Sequence, residues 1–429
     1  MTKICVIGLG YIGLPTSALF ANEGYDVVGV DINEHVVEQV NQGSIHIEEP
    51  GLDDMVAQAV KSGRLSASTK PVAADYFIIA VPTPVHDDHS ANTDFVVKAT
   101  ESIAPVLQKG NTVIVESTIP PRTISDIVAP ALKSAGFDAA TNDVYLAHCP
   151  ERVIPGNIVH ELKYNHRIVG GFTPEAMEKA AAIYKQSVEG DVRETEAVVA
   201  EMSKLMENTF RDVNIALANE LSKVADHLNI DASDVIDMAN MHPRVNILQP
   251  GPGVGGHCIP VDPYFIIEKA KDTTPLMQTA RDINDSMPSY VLDKMKAMIG
   301  DVQNPTVALL GLTYKGNTSD MRESPALQLI ERMQADAPNM TFKCHDPFVA
   351  AETDAFPHDL YSLDDALNGA DLAVVLADHQ SFKDLTGDTF TSQMQSPVVF
   401  DTRNIYKQLD GVTVHSLTNL VDTHKQGVQ

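Results

Sequence analysis

The first thirty-one residues leave this chain few folds to choose from. Lys3 to Ile7 is a short apolar stretch, the run Gly8-Leu9-Gly10-Tyr11-Ile12-Gly13 follows it, helical spacing continues from about Leu14 to Asn22, and Val27 to Val30 ends on Asp31. A strand, a glycine turn, a helix and a second strand within about thirty residues make a β-α-β unit. Gly8 permits the tight turn, Gly10 lets the backbone approach a pyrophosphate at the positive end of the helix, and Gly13 lets helix and strand pack closely. Asp31, eighteen positions after Gly13, stands where an acid accepts hydrogen bonds from an adenosine ribose and repels a 2′-phosphate. The pattern points to NAD rather than NADP. Its bland alternative is a glycine turn in an α/β fold that holds no cofactor.

Further buried-strand candidates, Tyr76–Val81, Thr112–Glu116 and Val144–Cys149, alternate with helical segments, which implies a parallel sheet covered on both faces. Thr83 and Thr118 follow two of these strands at the carboxyl edge, where such sheets bind ligands. They are candidates to face the nicotinamide, or else they cap local backbone. From Glu196 to Leu228 there is no Gly or Pro, and Val198, Met202, Leu205, Met206, Phe210 and Val213 recur at helical spacing. This predicts a largely buried helix roughly 50 Å long that bridges domains or forms a subunit interface. A second helical stretch, residues 275–299, is interrupted at Pro288. Strand candidates then return at Thr306–Leu310, Thr341–Cys344, Leu372–Leu376 and Val398–Phe400, with Gly311 opening a turn and Ser324–Met333 helical. The predicted class is α/β: two doubly wound Rossmann-like domains, residues 1–195 and 301–429, joined by a central helical domain, residues 196–300, with one long helix. The polar tail after Leu420 is expected to fray.

Composition removes several function classes. The 429 residues are 44% apolar and 21% charged, as in ordinary globular proteins of several domains. The net charge of −27 disfavours nucleic acid and anionic membrane surfaces as partners. No apolar run approaches the ~20 residues of a membrane span. The N-terminal stretch reads as a strand rather than a signal peptide, since Gly8, Gly10, Gly13 and Pro15 interrupt it. Cys5, Cys149, Cys258 and Cys344 lie far apart without C-x-x-C spacing, so neither a zinc site nor a disulfide scaffold is expected, no metal is implied, and a reducing cytoplasm is the natural compartment.

Cys258 is different from the other cysteines. It sits in the Gly/Pro-rich run Pro252 to Pro263, whose glycines would let a ligand approach the backbone, and Asp262 follows four residues on. A thiolate holds an aldehyde as a thiohemiacetal, which can lose a second hydride to leave a thioester. Beside a dinucleotide fold, that implies a four-electron oxidation of alcohol to carboxylate. His257 adjoins the cysteine, but adjacent side chains in extended backbone point apart. Lys204 and Asn208 are four residues apart on the long helix, with Arg211 a turn further, so they share a face. That face is either a solvated stripe or, if apolar neighbours bury the helix, it carries a desolvated lysine suited to proton transfer. Glu151, just past the Val144–Cys149 strand, is a candidate base for thioester hydrolysis or else half of a loop ion pair. Tyr314, Lys315, Arg322 (placed at the start of the next helix) and Arg403 lie at strand ends and suit a diphosphate, or are surface charge.

These residues carry a resemblance. Over nearly its whole length the chain resembles the UDP-glucose/GDP-mannose dehydrogenase family, in Gly8–Gly13, Val81–Pro84, Cys149–Gly156, Glu201–Glu220, His242–Asp262 and Arg322–Ala326. The resemblance implies NAD-binding, helical and UDP-binding domains, with Cys258 as nucleophile, Lys204 as proton donor and acceptor, and Asn208 as an oxyanion or substrate contact. It implies that Tyr11, Ile12, Asp31, Thr83, Thr118 and Arg322 contact NAD. It implies that Arg152, Val153, Lys204, Asn208, Arg211, His242, Arg244, Gly255, Tyr314, Lys315 and Arg403 contact the UDP-sugar. Glu151 and Asp262 match positions assigned to hydrolysis and local support, Thr118 joins Glu151 in steering water, and Arg244 reaches in from the second subunit of a dimer built on the long helix. Gly256-His257-Cys258 is typical of members acting on N-acetylated sugars. A UDP-N-acetylhexosamine oxidised at C6 for cell-surface polysaccharide is therefore implied, N-acetylmannosamine first and N-acetylglucosamine as nearest rival. One departure stands out: Arg122 lies in a segment where the family often has glycine.

Two other classes fit parts of the sequence. Two-electron β-hydroxyacid dehydrogenases share the N-terminal fold and a Lys-x-x-x-Asn helix but lack the last β-α-β domain. A catalytically silent binder of NAD or nucleotide sugar would not need every reactive residue that is present here.

Overall fold

The structure is a computed structural model describing residues 2–154, 156–350 and 356–420. The tail after Leu420, expected to fray, lies outside the described residues. The chain forms two compact units, Met1–Glu207 with Tyr264–Lys271, and Asn208–Pro263 with Asp272–Gln429.

The first unit is built on an eight-stranded sheet of β1 (Lys3–Ile7), β2 (Asp26–Val30), β3 (Leu65–Ser68), β4 (Tyr76–Ile79), β5 (Thr112–Val115), β6 (Tyr145–His148), β7 (Arg167–Gly171) and β8 (Val192–Glu196), in the order β3-β2-β1-β4-β5-β6-β7-β8. Alternation along the central strands feeds two cores, one holding Ile4, Val6, Ile78 and Ile114, the other Cys5, Ile7, Phe77, Ile79 and Val113. Near-continuous apolar strands are what burial on both faces requires. The register pairs Ile7 with Val30 and Ile79, and Ile79 with Val115, so Gly8, Asp31, Val81 and Thr118 all emerge along one edge.

The sheet is not parallel throughout, as its central strands led us to expect. β7 runs antiparallel to β6, with Gly170 opposite His148. The connection from β6 to β7 therefore stays at the carboxyl edge, and β7 starts beyond the end of its neighbour. Three strands of this sheet escape sequence reading. β3 and β8 are edge strands with few apolar residues, and β7 contains Gly170-Gly171, which reads as a turn. A side chain at Gly170 would put Cβ 2.7 Å from the Ala197 Cα, so that pair exists for close helix packing.

The second unit carries a five-stranded parallel sheet, β9 (Thr306–Leu310), β10 (Thr341–His345), β11 (Leu372–Val375), β12 (Val398–Asp401) and β13 (Thr413–Ser416), ordered β10-β9-β11-β12-β13. The unanticipated β13 is again an edge. The helical stretch splits at Ser286 into Pro275–Asp285 and Met287–Ile299, with Pro288 in the first turn of the second helix. That second helix packs Met287, Val291, Leu292 and Met295 into the core shared with Leu329, Ile330 and Met333 of the helix Pro325–Asp336.

The long helix spans Ala197–Leu228, but only part of the expected apolar face is buried: Leu205 is buried, Met202 and Val213 are half-buried, and Val198, Met206 and Phe210 are exposed. Val199, Met206, Phe210, Leu217, Val224 and Leu228 are exposed, while Ala200, Ala216, Ala218, Ala225, Glu201, Asn208, Asp212, Asn219 and Ser222 are buried. Small residues let neighbours approach closely, and each of those polar side chains finds a hydrogen-bond partner, as burial demands. Asp212 and Arg281 form an ion pair, 2.5 Å apart and almost fully buried. Among the described residues no helix is long and apolar enough to cross a membrane.

Replacing Arg281 by Met leaves the Asp212 carboxylate uncompensated and should destabilise the second unit by about 3–5 kcal/mol at neutral pH. Burial already raises the Asp212 pKa, so its protonated form favours folding, and that contribution fades as pH rises. The deficit in urea midpoint should therefore be smaller at pH ~5 than at pH ~8. Equal deficits at both values would contradict this account.

Candidate active site

The dinucleotide half-site is formed by the ends of β1 and β2 and the helix Gly13–Asn22. Gly8 has φ +93°, and a Cβ there would lie 2.5 Å from the Ala80 carbonyl oxygen. A Cβ at Gly13 would lie 1.8 Å from the Gly8 carbonyl oxygen, whereas one at Gly10 would meet nothing within 4 Å. Gly8 and Gly13 are thus required by packing, and Gly10 borders open space, where a pyrophosphate can approach the backbone. The helix begins with no side-chain cap, so its first-turn N–H groups remain for an anion. Asp31 accepts from the Leu9 amide (3.0 Å) through Oδ2 and from the Asn33 amide (2.9 Å) through Oδ1. This aims the carboxylate at the glycine turn, with lone pairs left for a ribose diol. Tyr11 is exposed and Ile12 half-buried beside it. These residues fit NAD.

The second unit repeats this turn and then closes it. Gly311 has φ +98°, and the Leu312 amide donates to Asp346 Oδ2 (2.7 Å), as Leu9 does to Asp31. But His379 Nε2 lies 3.1 Å from the same Asp346 oxygen and the ring of Phe348 stacks on His379, so the acid is buried. Asp346 is not available to a ribose.

At the carboxyl ends of β4 and β5, Ser117 Oγ accepts from the Val81 amide and donates to the Val81 carbonyl (2.9 and 2.7 Å). Thr83 Oγ1 donates to the Thr118 carbonyl (2.6 Å). The Thr83 proton therefore goes to local backbone, leaving only its lone pairs for a ligand, while Thr118 is half-buried.

Glu151 is held more tightly than a general base would be. Oε2 binds Arg167, the first residue of β7, at 2.5 Å, and Oε1 accepts from the Arg152 amide at 2.7 Å. The antiparallel entry of β7 supplies that arginine, which no motif flagged. Both partners are buried, and nearby Glu116, which accepts from Tyr184 (2.6 Å) and Thr16 (3.1 Å), has its carboxyl pushed up by burial. The ion-pair reading of Glu151 is the one the geometry meets. Arg152 pairs with Glu207 and donates to the His166 carbonyl, and Val153 packs beside Leu19, Ile158 and Leu162. Lys204 is half-buried rather than buried, correcting the expectation of a desolvated lysine.

In the second unit, Asn208 Nδ2 donates to Asp262 Oδ2 at 2.5 Å, and Arg211 donates to Asn208 Oδ1. The amide is therefore fixed in orientation and keeps a second N–H. Asp262 is buried, and its backbone amide donates to the Cys258 carbonyl (2.9 Å), which ties the acid to the cysteine loop. Cys258 is half-buried and in no disulfide. The glycines before it are required by packing. A Cβ at Gly255 would lie 2.5 Å from the Glu323 carbonyl oxygen, and one at Gly256 (φ +88°) 2.9 Å from the Tyr314 ring. They let the cysteine loop lie against the loop of Tyr314 and the turn of Arg322, whose carbonyl accepts from the Gly256 amide (3.0 Å). Arg322 precedes the helix it was expected to begin; that helix starts at Pro325 with Ser324 as cap, and Arg322 pairs with Asp320. Lys315 Nζ lies over the Tyr314 ring, and Arg403 lies 3.5 Å from Asp378. His242 and Arg244 are exposed on one loop.

Residues 2–188 match the NAD binding domain of the UDP-glucose/GDP-mannose dehydrogenase family, residues 198–286 its central domain, and residues 308–408 its UDP binding domain. A UDP-N-acetyl-D-mannosamine dehydrogenase from Methanococcus maripaludis is 44% identical, over 97% of both chains. An NDP-N-acetyl-D-galactosaminuronic acid dehydrogenase from Ralstonia nicotianae is 45% identical, over 94% of this chain and 96% of that one. The structure of a UDP-N-acetyl-mannosamine dehydrogenase from Staphylococcus aureus superposes with a TM-score of 0.88 at 48% identity, covering 99% of this chain and 100% of the other.

The two turns predict opposite outcomes. Asp31→Ala removes a charge-assisted acceptor and should weaken NAD binding about ten- to a hundredfold. Asp346→Ala should lower thermal stability while leaving NAD affinity within about threefold. Fluorescence titration with NAD checks both, and equal effects would refute the assignment of the cofactor to the first unit.

Proposed function

This chain belongs to the UDP-glucose/GDP-mannose dehydrogenase family, and from that membership we propose that it oxidises the C6 hydroxyl of UDP-N-acetyl-D-mannosamine to the carboxylate. The observation that carries the reading is that one chain holds both an open NAD turn and a cysteine loop tied to a buried Asp262–Asn208 pair. The substrate rests on Gly256-His257-Cys258 and on relatives named for UDP-N-acetyl-D-mannosamine.

NAD, when bound, would supply the hydride acceptor, one molecule for each of the two oxidations. In this reading Lys204 takes the proton of the C6 hydroxyl. The Cys258 thiolate adds to the aldehyde, and the hemithioacetal oxygen receives the second N–H of Asn208, whose aim Asp262 and Arg211 fix. After the second oxidation, water guided by Thr118 hydrolyses the thioester and frees the thiol. Glu151 enters as a fixed negative charge behind the Arg152 amide rather than as a proton acceptor, because both its oxygens are engaged. Tyr314, Lys315, Arg403, Arg152 and Arg211 offer donors and cations to the diphosphate and sugar. The exposed apolar stripe of the long helix supports a homodimer that buries it against a second copy, from which Arg244 reaches the substrate. The enzyme works in the cytoplasm, making a uronic acid donor for cell-surface polysaccharide.

A second reading, the galacto-configured N-acetyl sugar, is favoured by the Ralstonia relative at similar identity. UDP-N-acetylglucosamine is the remaining rival. Purified protein should release two NADH per UDP-N-acetylmannosamine consumed, as a thioester route requires. One NADH per sugar would place it with two-electron dehydrogenases, and preference for another epimer would move the substrate. Cys258→Ser should lower uronate formation by about a thousandfold or more while retaining NAD binding. Wild-type uronate formation by that variant would sink the covalent step.

A further inference from the structure

We infer that Glu201 is a positioning residue whose carboxylate clamps the loop of Thr118 to the helix that carries Lys204. The inference rests on the proposed function for the role of Thr118, and on geometry for the clamp itself.

Glu201 lies on the long helix, three residues before Lys204, and is almost fully buried. Residues three apart on a helix are neighbours on one side. Among the described residues no cation pairs with the carboxylate. It accepts instead from two backbone amides, Arg122 (2.6 Å, through Oε2) and Ile124 (2.8 Å, through Oε1). The charged groups facing it are Arg122 and Asp126, and these bind each other, with Arg122 Nε and Nη2 each 2.9 Å from the Asp126 carboxylate.

The clamped segment is strained. Arg122 has φ +72°, a left-handed conformation that a Cβ disfavours and that glycine adopts freely. A five-residue π-helical turn, Ile124–Val128, starts where the clamp ends. Strained backbone persists only where surrounding structure over-determines it. Here Thr83 holds the loop at one end through the Thr118 carbonyl, Thr123 folds back on the Pro120 carbonyl (2.7 Å), and Glu201 holds the other end. Pro120 and Pro121 stiffen the span between. Arg122, the departure from glycine noted in the sequence, is thus kept in a glycine conformation by two backbone amides, its own and that of Ile124, that donate to one buried acid.

A clamp of this kind needs the ionised form. A protonated carboxyl presents an O–H to one of the two N–H groups and loses that grip. Burial pushes the Glu201 carboxyl up to about 7, against the pull of the Ile124 and Arg122 amides. The folded-state value lies above that of a free carboxyl, so the protonated form favours folding and that advantage fades as pH rises toward 7. The clamp is complete above that range and half-released below it.

The test uses the full chain and the variants E201Q, E201D and R122G/E201Q. At pH ~8, hydrogen exchange should quicken about tenfold or more at the 122–124 amides in E201Q, and in wild type on going from pH ~8 to ~6 after correction for intrinsic rates. With UDP-N-acetylmannosamine and NAD, E201Q should lose about tenfold or more in kcat with both KM values within about threefold, and its pH profile should lack the limb near 7. E201D should retain that limb, and R122G/E201Q should regain part of the lost kcat, since glycine holds the left-handed turn unaided. Wild-type exchange at these amides in E201Q overturns the clamp. Faster exchange with unchanged kcat and pH profile overturns its positioning role. If wild type oxidises no UDP-N-acetylhexosamine, the proposed function fails while the exchange measurement still decides the clamp.

Discussion

A buried polar side chain is tolerated only when something bonds it, and the long helix Ala197–Leu228 buries a row of them. Each one dictates where another segment must lie. In the first unit Glu201 draws in the backbone of Arg122 and Ile124. In the second unit Asn208 fixes Asp262, Asp212 fixes Arg281, Asn219 holds the Gly251 amide, and Ser222 holds the Leu417 carbonyl. The alanines between them let those partners come close. The helix works less as a hydrophobic strut than as a row of hydrogen-bonding pegs on which both units hang their loops.

The same economy runs through the acids of this strongly acidic chain. Several of the chemically prominent carboxylates accept from backbone amides, whether or not a cation also reaches them. Asp31 takes the Leu9 amide, Asp346 the Leu312 amide, and Glu151 the Arg152 amide. Such bonds order turns at strand ends, which is where the binding residues sit. They also explain how two turns of the same design diverge: Asp31 keeps a side open to solvent, while His379 closes Asp346.

What was legible depended on whether a residue's partner was close in sequence or set by periodicity. Central strands read clearly because burial on both faces leaves continuous apolar runs, as in Tyr76–Ile79 and Thr306–Leu310. Edge strands such as Leu65–Ser68 and Val192–Glu196 did not, since one open side removes the apolar signal. The Gly170-Gly171 pair disguised a strand whose arrival places Arg167 on Glu151. The periodicity of the long helix was correct, but of its expected buried face only Leu205 is fully buried, with Met206 and Phe210 exposed. Apolar spacing shows that a helix has a face, and it cannot say whether core or a second molecule covers that face.

Sequence alone determined the β-α-β opening, the glycines of the dinucleotide turn, the acid at the end of the second strand, and the cysteine and lysine as candidate chemistry. Those signals are local, since each is carried by residues a few positions apart. Tertiary structure alone decided that the glycines near Cys258 make room for Tyr314 and Glu323, that Glu151 is locked by Arg167, and that Arg122 is held left-handed by Glu201. Each of these joins residues far apart along the chain, and hydrogen-bond partnership over such distances leaves no periodic trace in composition or spacing.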